Sequence, residues 1–151
     1  MDVAEGVWLE VRGTRLAWGA SPVELRANTS PDFETVRQED DPGAIVFSWN
    51  DRILGGLPCQ IRTTFESKYW PLKALRYLHL TLWPSPAIQS FQDKFAWTQR
   101  ELIDRFGEPL FTSDDGGQGE AAWQLGKVVI RNRYFDEFGS FSEVLLFVGQ
   151  A

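Results

Sequence analysis

Short segments in which apolar and polar residues alternate constrain the fold of this chain most strongly. Side chains of a β-strand point alternately to opposite faces of a sheet, so a period of two predicts strands that are buried on one face. In residues 76–83, for example, Leu78, Leu80 and Leu82 share one side. Turn residues separate most of these segments, which favours antiparallel pairing. Strands are predicted over residues 7–11, 16–18, 44–49, 60–66, 76–83, 122–125, 127–135 and 142–148.

Helices are predicted at two places where the sequence carries a start signal. Ser21 is a suitable N-cap, Pro22 fits the first helical position, and Glu24 is placed to complete a capping box. The same Ser/Thr-x-x-Glu-Leu pattern begins at Thr98, and Gly107 is a suitable residue to end the second helix. The loops and turns predicted between these elements are residues 30–43, 50–52, 55–58, 67–72 and 112–120. Residues 30–43 are compatible with a loop alone or with a loop that contains one further helical turn, and residues 112–120 are expected to be a flexible acidic loop.

Together these elements predict one α+β domain over residues 1–151. We expect an antiparallel sheet with a few short helices on one side. The order of capped helix, polar loop and about three strands occurs in residues 7–83 and again in residues 96–149. Tandem repeats explain this order, but so does coincidence, because capping boxes are common at helix starts.

One group of residues links the predicted helices to a known fold. It comprises Thr98, Glu101, Leu102, Phe106, Gly107 and Pro109, with Ser21, Glu24 and Leu25 as a weaker second copy. A capped helix, a Phe-Gly-x-Pro stop and a run of antiparallel strands resemble the repeats of the β-lactamase-inhibitor-protein-like folds. They also resemble the related small lipoprotein domains of outer-membrane assembly. The resemblance implies a non-enzymatic protein that binds a partner on the concave face of its sheet.

The chain departs from that family in two ways. Those proteins are exported, whereas the acidic start of this chain lacks the basic and apolar pattern of a secretory signal. The first helix also lacks the Gly-x-Pro ending. In size, charge and expected cytoplasmic location, the chain resembles in type the immunity proteins that neutralise bacterial toxins.

Residue counts exclude several kinds of site. One Cys cannot form a disulfide framework or a cysteine-based zinc site, and one His cannot supply a multi-histidine metal centre. A formal charge of −6 argues against a nucleic-acid binder, which needs a basic face. The longest apolar run, residues 144–148, is far shorter than the roughly 20 residues of a membrane-spanning helix. We therefore expect no cofactor, no metal, no nucleic acid and no membrane partner.

Candidate catalytic groups are scattered along the sequence. His79 is compatible with a general base or with a half-exposed strand histidine. Cys59 is compatible with a nucleophile or with a small buried residue. Arg131 and Arg133 share the polar side of one strand, where they suit either an anion clamp or protection of a sheet edge. Because no set of groups converges in the sequence, an enzyme is not expected.

The aromatic content favours a binding protein. The chain has seven tryptophans, and Trp and Tyr contribute strongly to protein interfaces. Acidic loops would add charge complementarity to a basic partner. The alternative is that a second layer of the fold covers the outward aromatic residues, and that the acidic loops are simply solvated. The predicted partner-binding residues are Trp8, Trp49, Tyr69, Trp70, Trp83, Glu39, Asp40, Asp41, Asp114 and Asp115.

The predicted function is that of a small acidic cytoplasmic protein of the immunity or inhibitor type, as in bacterial toxin–antitoxin systems. It is expected to bind and neutralise a partner protein, such as a basic toxin or effector, in an oligomeric state that the sequence leaves open. Two alternatives remain: an interaction domain for structure or assembly without an inhibitory role, and a small-molecule binder or enzyme centred on His79 and the two arginines.

Overall fold

The computed structural model describes residues 2–35, 43–68, 71–84, 87–115, 117–136 and 141–149. The helices in these ranges are α1 (Pro22–Thr29) and α2 (Phe91–Phe106), and neither has the length and apolar composition needed to cross a membrane. The strands are β1 (Gly6–Leu9), β2 (Thr14–Ala17), β3 (Phe33–Thr35), β4 (Ile45–Ile53), β5 (Leu57–Phe65), β6 (Tyr77–Leu82), β7 (Phe111–Asp114), β8 (Gln118–Leu125), β9 (Val128–Phe135) and β10 (Phe141–Val148).

Eight of these strands form one antiparallel sheet in the order β3-β4-β5-β6-β10-β9-β8-β7, and β1 and β2 form a separate hairpin. The predicted α+β class with an antiparallel sheet is therefore confirmed. Each half of the chain supplies a helix followed by four strands, and the two sets meet where β6 pairs with β10. This recurring order is the feature behind the proposed repeats, whose common origin stays a prediction.

The two strands that the sequence does not predict are the edges of the sheet. β3 lies in residues 30–43, and all of β7 except Phe111 lies in residues 112–120, so both loop predictions are wrong in part. Among the strands of the described residues, β3 pairs only with β4, and β7 only with β8. All four residues of β7 are exposed. An edge strand of this kind has no buried face, and its composition therefore resembles that of a loop.

Both helices pack on one face of the sheet, as predicted, and the β1–β2 hairpin packs on the same face. Leu25 of α1 and Leu102 of α2 lie in the same buried core as Ile61 and Leu80 of the sheet. Strand alternation leaves the intervening side chains, such as His79, on the opposite face. We call this the helix-free face, because neither helix of the described residues packs against it.

Helix α1 begins as the sequence predicts. The Ser21 hydroxyl accepts a hydrogen bond from the backbone N–H of Glu24 at 3.2 Å, and the Glu24 carboxylate accepts one from the backbone N–H of Ser21 at 3.3 Å. The capping box is therefore complete. The helix ends at Ser30, which has a left-handed backbone conformation.

Helix α2 begins earlier than the sequence predicts. Its N-cap is Ser90, whose hydroxyl accepts from the backbone N–H of Asp93 at 3.0 Å. Thr98 is buried inside the helix, so its prediction as an N-cap is wrong. The free N–H groups that need a cap belong to the first turn after Ser90. The predicted end at Gly107 is confirmed, and the positive φ of 81° there suits a residue without a side chain.

Strand β4 continues through the turn that the sequence predicts at residues 50–52. The chain turns at Leu54, Gly55 and Gly56, which all have positive φ angles and overlap the second predicted break at residues 55–58. The Glu10 carboxylate holds this turn by accepting hydrogen bonds from the N–H groups of Gly55 and Gly56 at 2.8 and 3.1 Å. The turn predicted at residues 50–52 is therefore wrong, and the break predicted at residues 55–58 is confirmed in part, since β5 begins at Leu57.

Trp49 consequently lies inside a strand and points into the core. Its side chain is fully buried, at 0% exposure, and its Nε1 donates to the hydroxyl of Thr29 at 2.9 Å. Its ring centroid is 5.9 Å from that of Phe47. The prediction of Trp49 as a partner-binding aromatic residue is wrong for this reason.

Candidate binding site on the helix-free face of the sheet

Strand pairing sets a row of side chains across four central strands of the helix-free face. Arg62 on β5 is opposite His79 on β6. Leu145 on β10 is opposite His79 on one side and Arg131 of β9 on the other. Directly opposed residues on one face of an antiparallel sheet have Cβ atoms roughly 4.5–5.5 Å apart. These four residues therefore form one continuous surface although they come from both halves of the chain.

A groove of about 810 Å³ lies over this row. Tyr77, Thr64 and His79 contribute polar atoms to it, and Glu143 is the acidic residue among the described residues of its lining. Its basic residues are Arg62, Arg76, Arg131 and Arg133. Its apolar residues are Val46, Leu72, Leu145, Phe147 and Val148.

Glu143 joins His79 to Arg133 within the groove. Its Oε2 lies 2.8 Å from Nε2 of His79, and its Oε1 accepts a hydrogen bond from Nε of Arg133. The hydrogen bond from His79 and that from Arg133 hold the pKa of Glu143 below its ordinary value, although burial alone would raise it. An ionised carboxylate can only accept hydrogen bonds, so Nε2 of His79 carries the proton in this contact.

The two arginines of β9 lie over aromatic rings. The guanidinium carbon of Arg131 is 5.6 Å from the ring centroid of Phe147, and that of Arg133 is 5.5 Å from the ring centroid of Phe135. Such cation–π contacts limit the positions of both guanidinium groups. Nε of Arg131 is also 2.8 Å from Oε1 of Glu120, but this buried N–H makes no directed hydrogen bond to a described residue.

Arg62 and Arg76 are exposed, and neither forms an ion pair with a carboxylate of the described ranges. In those ranges the carboxylates paired with the groove arginines are Glu143 and Glu120. Four arginines against two glutamates give a formal charge of +2, counting His79 as neutral. The groove is therefore locally positive on a chain whose formal charge is −6.

Trp8 and Trp83 are exposed, as the sequence predicts, to 49% and 48%. Trp8 projects from β1 on the side opposite its buried neighbours, and Trp83 follows the end of β6. Neither residue lines the groove. Their exposure is confirmed, and their role in partner binding stays a prediction. The remaining predicted aromatic and acidic contacts that lie outside the described residues are Glu39, Asp40, Asp41, Tyr69 and Trp70.

Asp114 and Asp115 belong to the β7–β8 hairpin. The hydroxyl of Tyr134 donates to Oδ1 of Asp114 at 3.0 Å, and Tyr134 is buried on the face that carries the helices. Asp115 accepts from the backbone N–H groups of Gln118 and Gly117 at 3.0 and 3.2 Å, which lower its pKa. Both carboxylates therefore have intramolecular partners and lie away from the groove. The structure does not bring them together with Trp8 or Trp83 in one binding site.

The burial of Cys59 explains its place in the sequence without a catalytic role. Cys59 is fully buried, and burial, with smaller effects of Asp51 and Glu10, raises the pKa of its thiol to about 12. The thiol is therefore un-ionised at neutral pH and packs as a small core residue. Within the described ranges, no three His, Cys, Asp or Glu side chains come together as metal ligands.

The structure brings His79, Arg131 and Arg133 together, as the small-molecule alternative from the sequence requires. Sequence reasoning missed Arg62, Arg76 and Glu143 as parts of the same site. The alternation of residues 60–66 places Arg62 on a polar side, but it does not indicate which strand lies beside it. The pairing of β6 with β10 supplies that information, because it joins strands 64 residues apart at the contact of His79 with Glu143.

Comparisons of the chain with protein families, with curated proteins and with solved structures gave no significant match. The resemblance to the inhibitor-protein-like folds therefore stays a prediction, and Thr98 no longer supports it as a cap.

Proposed function

We propose that the protein is a binding protein rather than an enzyme, and that it holds a partner protein on the helix-free face of its sheet. The observation that carries this proposal is the groove of about 810 Å³, in which apolar side chains and arginines lie next to one another. Concave sites that combine an apolar lining with a few polar groups are typical of ligand and partner binding. Arginine beside aromatic side chains is also typical of the energetically important part of protein interfaces.

An immunity or inhibitor role in the cytoplasm is the form of partner binding that we propose. In that role the chain binds a toxin or effector and blocks its activity by occupying its surface. Trp83 adds exposed aromatic area that such a partner would contact outside the groove. A domain that docks a partner for structure or assembly would use the same face, and the two roles differ only in whether the partner loses activity.

The proposal is tested by two matched variants. Leu145→Asp places a charge in the groove, whereas Val11→Asp makes the same change in an exposed residue of the β1–β2 hairpin. A photo-crosslinker at Arg62, with a control at exposed Val23 of α1, identifies the partner in cells of the native host. The purified partner is then titrated calorimetrically with each protein, after thermal melting has shown that both variants are folded.

We expect the partner to bind the wild type and Val11→Asp equally, and Leu145→Asp at least about tenfold more weakly, because an unpaired charge is costly to desolvate in an interface. Loss of partner activity in the complex supports the inhibitor role, and retained activity supports the assembly role. Equal binding by Leu145→Asp overturns the assignment of the helix-free face.

The contact between His79 and Glu143 favours a second candidate function, a small-molecule binder or enzyme. A carboxylate that fixes the orientation of an imidazole is common in acid–base catalysis. In that case a small ligand would occupy the groove, and His79→Gln would abolish turnover while leaving a protein complex intact. This candidate is tested by following the imidazole signals of His79 by nuclear magnetic resonance while compounds from a metabolite library are added. Glu143→Gln serves as the matched variant.

A further inference from the structure

The arginines of the groove indicate what kind of partner segment fits it, and this inference rests on the proposed function. We infer that the groove binds an acidic segment of the partner protein, in which carboxylates lie beside an apolar side chain. This differs from the basic partner that the acidic loops of the sequence suggest.

The first step is the charge that the described structure leaves without a partner. Arg62 and Arg76 are exposed and form no ion pair there, whereas Arg131 and Arg133 each contact one glutamate. Two of the four guanidinium groups therefore carry a charge that no carboxylate of the described residues pairs with. A ligand with several carboxylates would be complementary to that charge.

The second step is the geometry of the donors. A guanidinium presents its N–H groups in a planar fork that matches the two oxygens of a carboxylate. Arg131 lies over Phe147 and its Nε is 2.8 Å from Oε1 of Glu120, while Arg133 lies over Phe135 and donates from Nε to Glu143. Two of the four forks are therefore held in place before a ligand arrives, which lowers the entropy cost of binding.

The third step is the apolar part of the lining. Leu145 is opposite Arg131, and the ring of Phe147 lies against the guanidinium of Arg131, so apolar side chains lie directly beside the charged ones. Inorganic phosphate or a bare dicarboxylate would leave this apolar surface uncovered. A long nucleic acid would meet the overall charge of −6 at longer range. A peptide segment with acidic and apolar side chains satisfies both parts of the groove.

The fourth step is the position of the groove in the sheet. Its strands β5, β6, β10 and β9 are inner strands, each paired on both sides. Their backbone groups are therefore used within the sheet, and an added strand cannot pair with them. Recognition must therefore depend on side chains, and the arginines and apolar residues of the groove supply them.

The probe for this inference is a short fluorescent peptide in which Glu and Leu alternate, compared with the same peptide carrying Gln in place of Glu. Binding is measured by fluorescence anisotropy at low and high salt. The groove variant is Arg62→Gln/Arg76→Gln. The control is Arg15→Gln/Arg100→Gln, which removes the same charge from exposed residues on the side of the sheet that carries the hairpin and helices.

We expect the Glu peptide to bind the wild type and the control alike, and the groove variant about tenfold or more weakly, as expected for lost charge-assisted hydrogen bonds. The Gln peptide should bind about tenfold more weakly than the Glu peptide, and salt should reduce the difference. Inorganic phosphate at equal ionic strength should not displace the peptide.

Several results would overturn the inference. They are failure of the Glu peptide to bind, equal affinity for both peptides, an unchanged affinity of the groove variant, or tighter binding of a single-stranded oligonucleotide. If one of these occurs while Leu145→Asp still breaks the partner complex, the acidic chemistry is wrong and the proposed function stands. If Leu145→Asp leaves that complex intact, the proposed function itself fails.

Discussion

Nε2 of His79 and Oε2 of Glu143 lie 2.8 Å apart across β6 and β10, the strand pair that joins the two halves of the sheet. The two residues are diagonal neighbours, because His79 is opposite Leu145 and Glu143 is two positions away on β10. Glu143 also accepts from Arg133 on β9. One carboxylate thus links three strands and contributes both to the groove and to the junction between the halves.

Replacement of Glu143 by Gln should destabilise the protein in a pH-dependent way. Because the pKa of Glu143 is lowered on folding, its ionised form stabilises the folded state above the unfolded pKa of about 4.3. That contribution is lost as pH falls through the lower pKa of the folded protein. We expect Glu143→Gln to reduce the free energy of unfolding at neutral pH by about 1–3 kcal/mol, with a smaller difference from wild type in acid.

Urea denaturation followed by tryptophan fluorescence, repeated from neutral pH to about pH 3, measures this effect. Glu108→Gln is the control, since Glu108 is exposed and makes no ion pair with the described residues. Identical pH profiles for the two variants would contradict the role assigned to Glu143.

The same substitution should reduce stability much more at Trp49 than at Trp8. Trp49→Phe removes buried ring volume and the hydrogen bond to Thr29, so we expect a loss of about 2 kcal/mol in the free energy of unfolding. Trp8→Phe changes a half-exposed side chain and should cost less than about 0.5 kcal/mol. Urea denaturation of both variants checks the difference. A larger cost at Trp8 would show that the burial pattern of this hairpin is wrong.

The error at Trp49 shows where local sequence patterns fail. Residues 50–52 are Asn, Asp and Arg, which favour turns when considered alone. In the fold, Asp51 instead accepts hydrogen bonds from the β1–β2 hairpin, and Glu10 fixes the turn at Gly55 and Gly56. Contacts between distant segments therefore outweigh local turn propensity here. The buried alternation of residues 60–66 and 76–83 has no such competitor, and those predictions are confirmed.

The start of α2 gives a direct test of the structural N-cap. Ser90→Ala removes the hydroxyl that accepts from Asp93, so it should cost about 1 kcal/mol in the free energy of unfolding. Ser90→Asp should retain most of the stability, because aspartate also caps helices. Thermal and urea denaturation of the two variants provide the comparison. Equal losses for both would mean that the hydroxyl of Ser90 does not cap α2.

The site was predictable only in part for a related reason. Alternation places His79, Arg131 and Arg133 on polar sides of their strands without any knowledge of the fold. It does not reveal that β6 lies beside β10, since that pairing joins the last strands of the two halves. Arg62 and Glu143 enter the site only through this long-range pairing. Local periodicity determines which face a residue occupies, whereas strand order determines its neighbours.

Asp51 provides the sharpest stability prediction in the first half of the chain. Its buried carboxylate accepts from the N–H of Val11 at 2.8 Å, and Nη1 of Arg12 lies 2.9 Å from its Oδ2. Burial alone would raise the pKa of Asp51, but the hydrogen bonds from Val11, Arg52 and Arg12 together hold it below its ordinary value. The carboxylate therefore stabilises the fold at neutral pH.

Asp51→Asn keeps the shape of the side chain but places an amide N–H₂ group among these donors. We expect it to lower the free energy of unfolding by about 2–4 kcal/mol at neutral pH, because it leaves the Arg12 charge and backbone N–H groups partly unpaired. The difference from wild type should shrink as pH falls below the unfolded pKa of about 3.9, where Asp51 itself becomes protonated. Asp104→Asn, an exposed change on α2, should stay within about 0.5 kcal/mol of wild type. A similar small effect at Asp51 would mean that this carboxylate does not hold the hairpin to β4.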